Sequence, residues 1–358
     1  MTNQMHQHKT ASLPKTRPLR ILFAPHEICG QMQMLAEGFR AHGHNATAVA
    51  YATDPFGVKN DVCLEFENRT KPGKIAASFN FTMKALRNYD ICHFFYGRSL
   101  MPKHLDLPLL KRAGKKIFVH FRGSDIRNRR KWINQVNTPN MLGQQAPTDI
   151  PRSTAQQIKR LNTWRRYADG IFVSTPDLLD IVPEAQIVQQ AIDLNTYPEE
   201  PAESQSRDSE IVIAHAPSNR RLKGTEYLIA AVQQLRDRGH AVRLHLIENV
   251  KSSEVVHHYR QTDLGVDQLV LNAYGNVTIE LMALGKPVIA NLGSWYQEHR
   301  PDLPVVHADP SNIAQKLEAL INDPARRQRI GAEGRRYVER WHDVNTHVAR
   351  LLNIYKTT

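Results

Sequence analysis

Cysteine is scarce in this chain: Cys29, Cys63 and Cys92 are the only three, an odd number and far apart. That excludes a disulfide framework, offers no CxxC metal pair, and makes a reducing cytoplasm the expected setting. No run of eighteen apolar residues occurs, so no segment has the length to cross a bilayer as a helix. HExxH, GxSxG and a P-loop are also missing, which removes the footing for a zinc hydrolase, a serine hydrolase or a P-loop kinase. GxGxxG is absent too, so a standard NAD-binding unit is not expected. Acids are outnumbered: 35 Asp and Glu against 47 Lys and Arg leave a net charge of +12. Such an excess attracts an anion, whether a phosphorylated small molecule, an acidic headgroup or nucleic acid.

What is present is ordinary globular composition, 41% hydrophobic and 23% charged, over 358 residues, which is long for one domain and comfortable for two. The first residues, 1–18, are polar and basic without an apolar core; they are expected to be a disordered lead-in rather than a secretory signal. From Leu19 short apolar runs alternate with helical patterns: strands at 19–25, 46–50, 90–95, 116–120, 170–174 and 186–190, with helices between them, including a basic one at 154–167. That spacing is the spacing of parallel βα units. At 197–209 the text changes to YPEEPAESQSRDS, without periodicity, which reads as an exposed linker. The alternation then restarts with strands at 210–215, 242–247, 264–270, 286–290 and 304–307, and helices at 311–321, 324–340 and 344–355 close the chain.

The expected fold class is therefore α/β, with two doubly wound Rossmann-like domains: 19–196, a linker and hinge at 197–209, then 210–340, with 341–358 as a final helix. Open parallel sheets bind ligands beyond the carboxyl ends of their strands, so two of them facing each other define one cleft. Basic residues dominate between Lys103 and Arg166, against only Asp106, Asp125 and Asp149. This half carries either a docking face for an anionic membrane or a plain solvated surface.

The candidate chemistry gathers after strands. The stretch NAYGNVTIELMALGKPVIANLG, residues 272–293, is a glycine loop opening a short helix. Its amides at Gly275, Asn276 and Val277 suit a phosphate, and Glu280 one turn on suits a ribose diol, unless it is simply a first-turn helix acid. HAPSNRRLKGT, residues 215–225, ends a strand and offers Arg220, Arg221 and Lys223 to a diphosphate, or to solvent. His120 in FVHFRGSDIR ends another strand and points toward the cleft, unless a carbonyl or Asp125 merely satisfies it. Gly30 follows the first strand, where a missing Cβ lets a ligand approach. Asp263 reads as structural, and Asp267 either faces solvent or contributes a carboxylate to the site.

The run Glu280, Met282, Ala283, Gly285, Lys286, Pro287, Val288, Ile289 resembles the donor-site motif of the retaining GT-B glycosyltransferases of the glycogen-synthase-like group (glycosyltransferase family 4 type). Lys223 and Gly224 match that family's KG step, while Thr175, Pro176, Asp177 and Ala191, Ile192, Asp193 are similar to two further steps. Two positions depart from the pattern: Asn272 stands where the family usually has its first glutamate, and Pro217 where several members have an arginine. The resemblance implies a GT-B fold and a hexosyltransferase that moves a sugar from a nucleoside-diphosphate donor, UDP-sugar ahead of GDP-sugar, to a saccharide or lipid-linked acceptor with retention, in cell-surface polysaccharide or glycoconjugate synthesis. No cofactor or metal is implied, and no DxD triplet is present to hold one. It further implies catalytic roles for His120, Arg220, Lys223 and Glu280, donor contacts at Gly30, Arg221, Asn272, Tyr274, Gly275, Asn276 and Val277, and acceptor-side places for Arg122 and Asp125. The last helix is implied to cross back to the first domain. The alternatives are a nucleotide-sugar epimerase on the same architecture, a binding subunit that lost activity with the first carboxylate, and a nucleic-acid-binding module suggested by charge alone; no motif points to a specific nucleic acid.

Overall fold

The structure is a computed structural model that describes residues 17–54, 57–127, 154–198 and 210–358. The lead-in before residue 17, most of the 197–209 linker, and the basic residues Arg129, Arg130, Lys131 and Arg152 lie outside the described residues.

The first half supplies strands β1 (Arg20–Ala24), β2 (Asn45–Ala50), β3 (Val62–Cys63), β4 (Ile91–Phe95), β5 (Lys116–Phe121), β6 (Gly170–Val173) and β7 (Gln186–Ile187). Its helices are α1 (Gln31–Ala41), α2 (Lys71–Asn88), α3 (Asp106–Arg112) and α4 (Thr154–Tyr167). The second half supplies β8 (Ile211–His215), β9 (Val242–Leu246), β10 (Leu264–Val266), β11 (Val288–Ala290) and β12 (Val306–His307). Its helices are α5 (Arg220–Lys223), α6 (Thr225–Asp237), α7 (Ser252–Arg260), α8 (Asn276–Ala283), α9 (Ser294–His299), α10 (Ile313–Ile321), α11 (Pro324–Trp341) and α12 (Val344–Thr357).

Two sheets result, ordered β3-β2-β1-β4-β5-β6-β7 and β12-β11-β10-β8-β9, with parallel pairing throughout. Strands covered on both faces must be apolar on both, and ICHFF and KIFVHF are: β4 is wholly buried and β5 nearly so. On one face of the first sheet α2, α3 and α4 press Phe81, Leu107, Leu110, Leu161 and Trp164 onto Cys92, Phe94 and Val119. On the other, Met32, Leu35 and Phe39 of α1 share a core with Val348, Leu351 and Tyr355 of α12. The last helix of the chain thus packs on the first sheet. The crossing is stitched by backbone bonds, Ile192 N to His342 O at 2.7 Å and Val344 N to Ile192 O at 2.9 Å.

In the second half α8 and α11 pack so closely that a Cβ on Gly331 would come within 1.9 Å of the Gly285 carbonyl oxygen. Most of the LMALGKPVIA run is explained by this packing. Leu281, Met282 and Ala283 are buried, and Gly285, at φ 70°, ends α8 in the left-handed conformation that favours glycine. Strands expected at 264–270 and 286–290 are shorter, Leu264–Val266 and Val288–Ala290, although the backbone still bonds beyond β10 through Asp267 N to the Ile289 carbonyl at 3.0 Å and Asn291 N to the Gln268 carbonyl at 2.7 Å. The two-residue β3, the single turn α5 and the short α9 had no periodicity to announce them.

Candidate active site

At the carboxyl end of the second sheet one buried carboxylate organises the loop before α8. Asp267, whose side chain is fully buried, accepts hydrogen bonds from Lys223 Nζ at 2.6 Å, the Gly275 N–H at 2.6 Å and Thr278 Oγ1 at 2.8 Å. Burial opposes its ionisation, but the lysine charge and these donors outweigh it and hold the carboxyl below its usual range. Lys223 also donates to Gln268 Oε1 at 2.8 Å. A Cβ on Gly275 would lie 3.3 Å from the ammonium and 3.2 Å from Asp267, so the absent side chain leaves the cation close to the helix start. The expectation that Asp267 faces solvent fails because this sheet is covered on both faces, and the carboxylate works as the support of Lys223 and the loop.

The amides of α8 complete the arrangement. Thr278 N and Ile279 N turn back to the Gly275 carbonyl, at 3.2 and 3.4 Å, whereas among the described residues the N–H groups of Asn276 and Val277 find no hydrogen-bond partner. Two free amides, the positive end of a helix and a fixed ammonium are the components of an anion site.

Glu280 lies in the same pocket, near enough to feel the charges of Asp267 and Lys223. Tyr259, at the end of α7, and Tyr197, at the edge of the linker, stand near its carboxylate and favour the ionised form. Burial first, then Asp267, lift its pKa to about 7 against the pull of the tyrosines and Lys223. The exposed Cys29 lies within reach of the Glu280 charge, so the β1–α1 loop of the first half faces Glu280 across the cleft.

The first-half wall differs from expectation at several positions. Gly30, at φ 73°, opens α1, but the helix start is already occupied: Glu27 accepts from Ile28 N at 2.7 Å, Met32 N at 3.2 Å and Gln33 N at 3.2 Å. Asp125 is fully buried and folds onto its own turn, accepting from Arg122 N and Gly123 N at 3.1 and 2.8 Å, so it neither orients His120 nor reaches an acceptor. His120 is 1% exposed among His93, Phe95 and Phe172, with Nε2 against the Val188 carbonyl at 2.8 Å and its own carbonyl taken by Tyr96 N. Its side chain is buried in the sheet interior, and burial pushes its pKa far down. Arg122 is the residue of that strand end that reaches the wall. It lies over the Phe95 ring and close to the charges of Cys29 and Glu27. Beside it a cavity of about 460 Å³ opens at the ends of β1 and β2, lined by His26, Glu27, Cys29, Tyr51, Asp54 and Arg98.

The structure therefore brings together Lys223, Glu280, Gly275, Asn276 and Val277, and it separates others from them. Arg220 turns to the surface, donating to Glu248 at 2.8 Å and Glu226 at 3.2 Å. Arg221 is exposed. Tyr274 is buried with its hydroxyl 3.1 Å from His342 Nε2 and 3.4 Å from Gln189 Nε2, so its ring fastens the loop rather than contacting a donor. Asn272 is 7% exposed, and its carbonyl accepts from Gly293 N at 3.0 Å. Sequence reasoning missed Glu27, Tyr197 and Tyr259. His215 is structural, tied to the Val266 carbonyl at 2.7 Å and to Thr225 at 2.9 Å, and Asp263 holds Val212 N at 2.7 Å. Among the described residues no group of three or more His, Cys, Asp or Glu is placed to hold a metal ion, and no helix is long and apolar enough to cross a membrane.

Comparison with known proteins agrees with this architecture. Residues 207–353 match the family described as glycosyl transferase-like. Among solved structures, sucrose-phosphate synthase of Thermosynechococcus elongatus superposes with a TM-score of 0.66 at 15% identity, over 95% of this chain and 99% of that one. HepE of Anabaena, solved in complex with UDP-glucose, gives 0.63 at 14% identity over 95% and 100%. The glycosyltransferase SnogD of Streptomyces nogalater gives 0.53 at 10% identity over 94% and 100%. No curated protein sequence matches significantly. The chain thus has the GT-B fold, two Rossmann-like domains facing across a cleft, and its second half matches the glycosyl transferase-like family.

Proposed function

We propose that this protein is a metal-independent glycosyltransferase that moves a hexosyl group, with retention, from a nucleoside-diphosphate sugar to a saccharide or lipid-linked acceptor in cell-surface polysaccharide or glycoconjugate synthesis. UDP-sugar is the first choice of donor and GDP-sugar the second. One observation carries the reading: Lys223 is fixed by Asp267 beside two unpartnered amides at the start of α8, with Glu280 in the same pocket.

The donor diphosphate lies between the Lys223 ammonium and the Asn276 and Val277 amides, and Glu280 accepts from the ribose hydroxyls. As the bond from the sugar carbon to the phosphate oxygen breaks, negative charge grows on that oxygen, where a fixed cation and amides stabilise it without a metal. The acceptor oxygen bonds the sugar carbon and passes its proton to the departing phosphate oxygen. The cavity at the ends of β1 and β2, with Asp54, His26 and Arg98 on its wall, receives the acceptor. Tyr197 stands at the start of the proposed hinge, its carbonyl 2.7 Å from Arg335 Nη1 and its ring near Glu280, so ribose binding and hinge motion share a residue.

A thermal-shift panel of UDP, GDP, ADP and TDP, followed by donor consumption with the best base across a saccharide panel, tests this reading. Acceptor-dependent release of the nucleoside diphosphate is expected, and the anomeric configuration of the product tests retention. Interconversion of donor sugars without acceptor would assign an epimerase instead. Nucleotide binding with no turnover on any acceptor would favour the inactive subunit that Asn272 suggests.

A further inference from the structure

The outward face of α2, α3 and α4 is the large surface that the proposed transfer leaves unused. These helices form one layer over the same face of the first sheet, their inward residues sharing one core. Outward stand Ile75, Phe79, Leu105, Leu109 and Ile158, between 38% and 58% exposed. Among the described residues no other large hydrophobic side chain is so open to solvent. Ile75 and Phe79, like Leu105 and Leu109, are one helical turn apart, so each pair forms a stripe. Leu105 and Ile158 line one open groove of about 830 Å³ between α3 and α4, with Lys103, Lys159 and Arg166 around it.

The charge of these helices is basic in excess, although Lys111 of α3 pairs with Asp169 and Arg165 of α4 with Glu184. α2 and α4 carry four Lys or Arg each and no acid. The one acid of the three helices, Asp106, is fully buried, its carboxylate taken by Ser99 Oγ and the Leu100 and Met101 amides. Position matters as well as composition. In a parallel βα unit the helix runs back along its strand, so helix starts lie at the carboxyl ends of the strands, beside the cleft. Ile75 and Phe79 fall in the first half of α2, Leu105 and Leu109 at the start of α3, and Ile158 in the second turn of α4, in the company of Lys71, Lys74, Lys103 and Lys159.

We propose that this cleft-side rim docks the protein on a bilayer containing anionic phospholipid. The apolar stripes enter the headgroup region while the lysines meet phosphates, a combination that suits an acidic lipid surface better than a nucleic acid, which has no use for exposed aliphatic side chains. Docking this way turns the mouth of the cleft toward the membrane, where an acceptor held in the leaflet reaches it. The docking itself does not depend on the proposed transfer, and either can fail without the other.

Sedimentation of the full chain with phosphatidylcholine vesicles, with and without about 30% phosphatidylglycerol, tests it. Binding is expected only with the anionic lipid and is expected to weaken in about 0.5 M NaCl. The triple variant Ile75→Ser, Phe79→Ser, Leu105→Ser should bind at least about tenfold more weakly, and Lys71→Glu with Lys74→Glu, Lys103→Glu and Lys159→Glu should abolish sedimentation. Both should keep the wild-type circular-dichroism spectrum and a cooperative melt, which establishes that they are folded. No binding by the wild type, or equal binding by the variants, overturns the proposal. A concentration-dependent dimer in analytical ultracentrifugation that the serine variant abolishes would overturn it too, by assigning the face to a second copy of the chain.

Discussion

The two halves each present a helix that starts just beyond a strand's carboxyl end and is preceded by glycine, yet they do opposite things with its amides. At α1 every first-turn N–H is satisfied from within: Gln31 N by the Ile28 carbonyl, Met32 and Gln33 by Glu27, and Met34 by the Gly30 carbonyl. At α8 the carboxylate is set one step back. Asp267 takes the Gly275 amide and the Lys223 ammonium and leaves Asn276 and Val277 unpartnered. A carboxylate in front of a helix start fills an anion site, whereas one behind it builds the site. Glycine before a helix marks where an anion can approach, and the position of the nearest acid decides whether it does.

The largest expected effect is at Lys223. Lys223→Ala removes the cation that Asp267 fixes at the α8 start, and kcat/KM for donor consumption should fall by about two orders of magnitude or more. Unchanged turnover would remove the assignment. Glu280→Ala should lose a similar factor, and its pH dependence sharpens the point. The unliganded carboxyl titrates at about 7, so nucleotide affinity should rise between about pH 6 and about pH 8 as the acceptor form accumulates. Glu280→Gln should flatten that rise in calorimetric titrations. Stability runs the other way. Because the folded pKa is raised, the contribution of this group is complete below the ordinary glutamate value and is lost as pH climbs through about 7, so the melting difference between wild type and Glu280→Gln should change in that window.

Asp267→Asn comes next. Leaving Lys223 without its buried partner should destabilise the fold by about 3 kcal/mol in denaturant titrations and raise the donor KM more than it lowers kcat, the mark of a residue that positions another. If KM and melting both stay at wild-type values, the supporting role is wrong. Glu27→Ala should leave donor binding nearly intact and cost about 1 kcal/mol of stability, since it uncaps α1 only. The smallest effect belongs to Arg220→Ala, whose side chain spends itself on Glu226 and Glu248 at the surface; less than about a threefold change in kcat/KM is expected. A loss as large as that of Lys223→Ala would show that the arginine swings into the cleft.

Much of this architecture was readable because periodicity is local. The basic helix at 154–167 and the βα alternation in both halves need only the neighbouring residues to declare themselves. The juxtaposition of Lys223 and Glu280 was also legible, from a basic loop after one strand and a glycine loop that opens a helix after another. What stayed hidden depends on contacts across the chain. Tyr197 and Tyr259 reach Glu280 from two other elements, and no spacing rule joins 197, 259 and 280. His120 looked like a cleft residue because it nearly ends its strand, but β5 lies mid-sheet between β4 and β6 and its side chain turns into an aromatic interior. Asp267 was read as a strand acid of the kind that mostly faces water, and the fold instead buries it beside Lys223. Arg220 and Lys223 share one helical turn, and only the three-dimensional positions of Glu226 and Glu248 show that the two cations part company.

The central claim is tested most directly by the crystal structure of the full chain with whichever nucleoside diphosphate shifts its melting most. The account predicts a β-phosphate oxygen within about 3 Å of Lys223 Nζ and of the Asn276 or Val277 nitrogen, with the ribose hydroxyls on Glu280. A diphosphate seated at the start of α1 beside Gly30, with Glu27 displaced and Lys223 still bound only to Asp267 and Gln268, would contradict it.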